Sequence, residues 1–251
     1  ANPQPIVDFI LGSTGYKTNF AVLPAPGNEY RSGAGWKNGM DWHAVFEEMY
    51  NDAKIYAPID VLFFGDSITQ GMGGEGRSLG SAPGDSACRR AFASYRWLNF
   101  GISGDRTQHL LWRVQNGNWQ KLHPKMIVVT IGVNNFPSDA AEEVHEGIRA
   151  IIDAIRKKEN TSKILLVGPL AAKEPDHAFR KKFNQVHQLI AELQDHSTVF
   201  YSDMASQLLL PDGRLDPALY SNDGIHFKPA GYVKWATLLK EEIDRDFAVK
   251  R

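Results

Sequence analysis

Two short segments of this chain carry residues suited to chemistry. In Gly65-Asp66-Ser67-Ile68-Thr69-Gln70-Gly71 a serine follows directly on an apolar run, and in Asp223-Gly224-Ile225-His226 a carboxylate stands three residues before a histidine on a glycine-bearing turn. A serine hydroxyl is a weak nucleophile until a base takes its proton. A histidine can be that base when an acid fixes its tautomer and stabilises the imidazolium. His226 with Asp223 fits the requirement. The alternative for Ser67 is that it only caps a helix. The oxyanion of an attacked ester needs donors, and three are in reach of this arrangement. They are the Ser67 N–H, the Gly104 N–H in Gly101-Ile102-Ser103-Gly104-Asp105-Arg106, and the Asn134 amide in Gly132-Val133-Asn134-Asn135. Losing one such donor lowers a rate by about 100- to 1,000-fold. Asn134 can also be read as a turn former. The remaining histidines, His43, His109, His123, His145, His177, His187 and His196, have no acidic partner at motif spacing and are assigned to surface or packing. No G-x-S-x-G elbow surrounds Ser67, so the ordinary α/β-hydrolase fold is not indicated.

These residues need elements to position them. Short apolar runs occur at 61–64, 97–100, 126–131, 164–167 and 198–201. They do not alternate, so both faces are expected to be buried, as in a parallel sheet covered by helices. Between them lie helical stripes. Trp42, Val45, Phe46, Met49 and Ala53 make one, with Asp41 as N-cap. Val144, Ile148, Ile151, Ile152 and Ile155 make another after a Ser138 cap. Phe183, Val186, Leu189, Ile190 and Leu193 make a third, and Val233, Ala236, Leu239 and Ile243 a fourth with Pro229 in its first turn. Alternating strands and helices predict right-handed βαβ units and a doubly wound sheet, in which ligands bind beyond the carboxyl ends of the strands. Ser67, Gly104 and Asn134 each follow such a run. Residues 1–40, rich in Pro, Gly and Asn with Phe20, Tyr30 and Trp36 among them, read as an irregular arm. The expected organisation is an arm with one helix over 1–57, packed on a single body over 58–251.

Composition bounds the alternatives. The chain has 251 residues, 28 basic and 29 acidic, for a net charge of −1. That balance argues against a large nucleic-acid footprint. No apolar run reaches the roughly 18 residues of a membrane span. The single cysteine, Cys88, permits no internal disulfide and no cysteine-rich zinc site; it stands apart from every motif and reads as a bystander. The first residue is Ala1, so any signal peptide is expected to be already absent. The compartment stays open, since one cysteine fits a cytosolic enzyme and equally a disulfide-free secreted or periplasmic one, with the secreted or periplasmic location slightly favoured.

On these motifs the chain resembles the SGNH, or GDSL-type, hydrolase superfamily. Gly65-Asp66-Ser67, Gly104, Gly132-Val133-Asn134-Asn135 and Asp223-Gly224-Ile225-His226 match its four blocks in order, over roughly residues 58–245. Within it, the stretch from Asn99 through Asp105, His109, Leu111-Trp112-Arg113 and Asn116-Gly117 is similar to the catalytic subunits of brain-type platelet-activating-factor acetylhydrolase. The resemblance implies an α/β fold, a three-layer α/β/α flavodoxin-like sandwich on a mainly parallel five-stranded sheet. It implies ester hydrolysis with no metal and no cofactor. Ser67 would be the nucleophile, His226 the base, Asp223 its orienter, and Ser67, Gly104 and Asn134 the oxyanion donors. By the same analogy Ile68, Val133 and Ile225 would shape an acyl pocket that admits only small groups, and a homodimer would form. Ile68 stands where the family name has Leu, and Asn135 where Asp is common. The arm of residues 1–57 and a Gly-rich loop over 73–86 exceed the minimal fold. The loop follows the serine, so it either borders the substrate site or is a passive insertion. The expected activity is a short-chain esterase, an O-deacetylase of carbohydrate, acting on a small-molecule or saccharide ester. The alternatives are a platelet-activating-factor-like phospholipid acetylhydrolase or lysophospholipase, and, from another class, an acyltransferase or a non-catalytic binding domain.

Overall fold

The computed structural model describes residues 18–27, 34–37, 39–170 and 172–248. Tyr30 and the Ala53 side chain, like residues 1–17, 28–33 and 249–251, lie outside the described part. Five strands form one all-parallel sheet in the order β2-β1-β3-β4-β5: β1 Val61–Gly65, β2 Trp97–Gly101, β3 Met126–Thr130, β4 Lys163–Leu166 and β5 Val199–Tyr201. Every residue of β1 and β3 is buried, as expected of continuous apolar runs covered on both faces. Helices flank the sheet to give three layers, α/β/α. The chain leaves β1 for β2 on one side, then returns to place β3 on the other side. The crevice between β1 and β3 is therefore the switch point at which open sheets of this kind bind ligands. The register is level: Gly65 pairs with Gly101 and with Thr130, so the loops that follow β1, β2 and β3 open side by side.

The helices are α1 Trp42–Tyr56, α2 Ser67–Gln70, α3 Asp85–Ala91, α4 Thr107–Asn116, α5 Ala141–Lys158, α6 Ala178–Ala191 and α7 Pro229–Ala248. Asp41 caps α1 as expected, accepting from the Ala44 N–H at 2.8 Å. The Ser138 cap is corrected: α5 starts after Ala140, whose N–H is held by the Glu143 carboxylate at 2.6 Å, while Ser138 stays in the preceding turn. Glu143 does there what a capping side chain does, from inside the first turn. The Gly-rich loop also ends earlier than expected, because Asp85 and Ser86 already belong to α3. Among the described residues no helix is long and apolar enough to cross a membrane.

Two features tie the amino-terminal segment to this body. Trp42 and Phe46 stack with ring centroids 5.7 Å apart, and both meet Trp112 of α4 edge-on. Trp36 forms an isolated antiparallel bridge with Leu79 of the Gly-rich loop, flanked by Lys37 N–H to Ser78 O and Gly80 N–H to Gly35 O. The loop is itself fixed to the sheet. Arg77 donates to the carbonyls of Asn99 at 2.5 Å and Gly101 at 2.9 Å, and Asp85 accepts from the Gly74 N–H at 2.8 Å. Cys88 is fully buried, and burial together with the field of Asp85 pushes its thiol up to about 12.

Candidate active site

Ser67 opens α2, two residues beyond the end of β1. The turn is sharp because Asp66 caps it, accepting from the Ile68 N–H at 3.0 Å. His226 approaches from the segment before α7. The Ser67 hydroxyl donates to His226 Nε2 at 2.8 Å, and His226 Nδ1 donates to Asp223 Oδ2 at 2.5 Å. The second oxygen of Asp223 accepts from the backbone N–H of Ile225 at 2.9 Å and of His226 at 3.0 Å. The turn thus presents the carboxylate to the ring in one orientation. Partial burial pushes the Asp223 carboxyl up, but the bonds from the His226 ring and from both backbone N–H groups outweigh it and hold it below the ordinary carboxylate range. A carboxylate that stays ionised is what a neutral, Nδ1-protonated imidazole requires, and Nε2 is left as the proton acceptor.

The loops after β2 and β3 lie beside it. Gly104 has φ +83°, a conformation in which a side chain would strain the backbone. Neither its N–H nor that of Ser67 has a hydrogen-bond partner among the described residues. Asn134 sits in the short 3-10 turn Val133–Asn135, and its amide donates one hydrogen to the Asp105 carbonyl at 2.9 Å. An amide nitrogen carries two hydrogens, so the second remains for a ligand. The neighbouring Asn135 is turned inward and fully buried, bonded to Thr107 and Asp139. Of the three residues expected to shape an acyl pocket, Ile68 and Val133 are buried in the core and Ile225 is half-buried against it.

Several residues around the site were not anticipated. Asp105, directly after Gly104, is fully buried and paired with the equally buried Arg113 of α4, with Arg113 Nε and Nη2 at 2.8 and 2.6 Å from its Oδ2. Trp42 Nε1 donates to its other oxygen at 2.7 Å. Arg113 also donates to Phe100 O at 2.7 Å and Gly65 O at 3.1 Å, the ends of β2 and β1. Gln70, one turn past Ser67 on α2, accepts from Ser103 N–H at 2.9 Å and Trp36 Nε1 at 2.8 Å, and donates to Ala34 O. His109 has a structural role at the start of α4, where its Nδ1 accepts from the Arg106 N–H at 3.3 Å and lies 3.9 Å from Asp105 Oδ1. His187 has the packing role expected, bonded to Tyr201 and to Pro169 O. Among the described residues no group of three or more His, Cys, Asp or Glu gathers where it could hold a metal ion.

Asp66 is 1% exposed, and burial pushes its carboxyl up to about 7, against the opposing pull of the Ile68 N–H and the His226 ring. The native state then holds a proton that the unfolded chain releases near its ordinary pKa of about 4. Between those values the native state binds more protons, so stability falls as pH rises through the window and the whole loss is present above it. Asp66→Asn keeps an acceptor for Ile68 and removes the titration. Thermal unfolding should show the variant above the wild type at pH 8 and level with it at pH 4. A gap of constant size at both would refute the buried titration.

A parallel sheet that sets a serine–histidine–aspartate chain beyond its carboxyl ends defines a class, the three-layer serine ester hydrolases. Comparison with known proteins makes this specific. The profile of the GDSL-like lipase/acylhydrolase family matches residues 63–234. The alpha2 subunit of human platelet-activating factor acetylhydrolase IB is 34% identical over 203 residues, which cover 80% of this chain and 83% of that one. Among solved structures, a GDSL-like lipase from Bacteroides thetaiotaomicron superposes with a TM-score of 0.62 at 19% identity, covering 80% of this chain and 98% of its own. A catalytic mutant of an acetylxylan esterase from Geobacillus stearothermophilus superposes with a TM-score of 0.59 at 20% identity, covering 76% and 96%. The chain belongs to the GDSL-like lipase/acylhydrolase family and is a serine ester hydrolase.

Proposed function

We propose that this esterase removes short acyl groups, acetyl above all, from carbohydrate, with Ser67, His226 and Asp223 as its catalytic residues. The observation that carries the reading is the unbroken chain from Ser67 Oγ through the His226 ring to Asp223, at 2.8 and 2.5 Å, with the branched side chains of Ile68, next in sequence to Ser67, and Val133, next to Asn134, both buried. His226 Nε2 takes the Ser67 proton as Oγ attacks the ester carbonyl. The oxyanion is stabilised by the Ser67 and Gly104 N–H groups and the Asn134 amide. The intermediate collapses as His226 returns the proton to the leaving alkoxide, and an acyl-serine remains. Water, deprotonated by the same nitrogen, releases the acid and restores Ser67.

Acetyl is favoured because branched side chains packed in the core cannot move aside for a longer chain without disturbing their neighbours. With aryl esters, kcat/KM should fall at least about tenfold from acetyl to butanoyl and further to octanoyl. A flat or rising series would refute an acetyl pocket. The leaving group is read as saccharide because the acetylxylan esterase shares this fold. A second reading, a platelet-activating-factor-like phospholipid acetylhydrolase, has its own support, since relatives above 30% identity are platelet-activating factor acetylhydrolase IB subunits. Acetylated xylooligosaccharides and an acetyl phospholipid assayed side by side separate the two by kcat/KM.

A further inference from the structure

The segment that carries Asp223 and His226 contains no regular helix between the turn at Ser206–Leu208 and the start of α7, so something else must hold it still. Lys173, in the loop after β4, does this from one residue. Its backbone N–H donates to Gly224 O at 2.7 Å and its ammonium donates to Asp223 O at 2.6 Å. Two of the three carbonyls between the acid and the base, those of Asp223 and Gly224, are therefore held by the same lysine. Lys173 is itself anchored from behind, since Arg180 of α6, 4% exposed, donates to Lys173 O at 2.5 Å and to Gly213 O at 2.5 Å.

The backbone of Lys173 is unusual. Its φ is +65°, in the left-handed region that favours glycine. Strain of this sort persists where the surroundings over-determine it, and such places cluster at functional sites. The strain here has an identifiable use, because it lets one residue present both its N–H and its ammonium to the same short turn. The turn is tight on its own side as well: Gly224 N–H bonds to Ser221 O and Ser221 N–H to His226 O. Gly224 itself has φ +64°, and a Cβ there would stand 3.3 Å from Leu215 Cδ1 and 3.4 Å from Lys173 Cδ, so the turn lies directly against the lysine stem.

We propose that Lys173 is a positioning residue for the catalytic base: it fixes the Asp223–Gly224 turn and so sets the Asp223–His226 hydrogen bond, at the expense of a strained backbone. This rests on the assignment of His226 as base. Three variants test it with an aryl acetate as substrate. Lys173→Gly relieves the strain and keeps the N–H to Gly224 O while losing the ammonium. Lys173→Met keeps the stem alone, and Lys173→Arg keeps a cation able to reach the carbonyl.

For Lys173→Gly and Lys173→Met, kcat is expected to fall roughly tenfold with KM unchanged, as a small displacement of a catalytic group does. Lys173→Arg should restore most of it. For Lys173→Gly, Tm should hold or rise, so stability and activity separate. The downfield proton signal of His226 Nδ1–H in the free enzyme should shift or broaden in the two variants that lack the cation. Wild-type kcat together with an unchanged proton signal in Lys173→Gly would overturn the proposal. So would parallel losses of Tm and kcat in all three variants, which would make Lys173 merely structural. A wild type inert on aryl acetates would refute the base assignment instead, while the proton signal would still report on the turn.

Discussion

Replacing Ser67 by alanine should leave a folded protein that hydrolyses an aryl acetate at least about 10,000-fold more slowly than the wild type. The size follows from how the site is built. In the proposed mechanism the hydroxyl oxygen is the atom that bonds to carbon, and the hydroxyl donates a hydrogen bond to His226 Nε2 at 2.8 Å. Without it, His226 and the oxyanion donors can act only on water, and that residual catalysis is small. Folding should be nearly untouched. Ser67 is the first residue of α2, the cap belongs to Asp66, and alanine suits a first helical turn. The stability change is therefore expected within about 1 kcal/mol. Turnover with a titrated wild type beside the variant, and thermal unfolding of both, make the check. Turnover within about tenfold of wild type would refute the covalent mechanism. A kcat loss accompanied by a large drop in Tm would mean that the serine holds the turn, the capping alternative that the sequence leaves open.

The parts legible from sequence and the parts hidden from it divide along physical lines. Continuous apolar runs such as Met126-Ile127-Val128-Val129 can be buried on both faces only inside a covered parallel sheet, and β3 is such a strand. The residues after those runs were then the place to look, and Ser67, Gly104 and Asn134 come out on neighbouring loops because the strand register is level. The short helices were invisible. α2 has four residues and α3 seven, too few turns for a 3.6-residue period to register. α4 was hidden for another reason: its buried face includes Thr107 and Arg113, so polarity masks the stripe. The same masking hid the supports of the site. Lys173 acts through backbone carbonyls and its own N–H, and Gln70 and Arg113 reach backbone groups as well as the Trp36 and Asp105 side chains, and backbone partners leave no spacing in a sequence. Trp36 offered a signal as a large aromatic residue in a segment otherwise rich in Gly, Pro and Asn, and Trp42 as the first position of the α1 stripe. Their indole N–H groups, which reach Gln70 and Asp105, are what join that segment to the active site.

Arg113→Met should be the most destabilising of the substitutions considered, by about 3–5 kcal/mol, the usual consequence of breaking a buried ion pair from one side. That is a large fraction of the roughly 5–15 kcal/mol that holds an ordinary domain together. Methionine fills much of the volume, so the loss is electrostatic. Asp105 would remain fully buried with Trp42 Nε1 as its one close donor among the described residues, the carbonyl of Phe100 would lose its guanidinium donor, and that of Gly65 would be left with the Ile102 N–H at 3.1 Å. Asp105→Leu alone should be similarly severe, because it strands the guanidinium.

The double variant Arg113→Met/Asp105→Leu should recover part of the stability, since an apolar pair needs no desolvated partner, and the two changes should be non-additive by roughly 1–3 kcal/mol. Activity should not recover with it. Arg113 ties the ends of β1 and β2 to the loop that carries Gly104, and the carbonyl of Asp105 orients the Asn134 amide. With that tie gone, two of the three proposed oxyanion donors lose their reference to Ser67. Urea unfolding with matched m-values gives the stabilities, and kcat at fixed pH gives the second quantity. Single variants within about 1 kcal/mol of wild type would show that the pair contributes little to folding. A stable double variant with full kcat would show that the oxyanion loop holds its shape unaided. The expected result lies between these, a protein that regains its fold before it regains its chemistry, because a hydrophobic pair can replace the energy of Arg113 and Asp105 but not the hydrogen bonds that Arg113 sends to both strand ends.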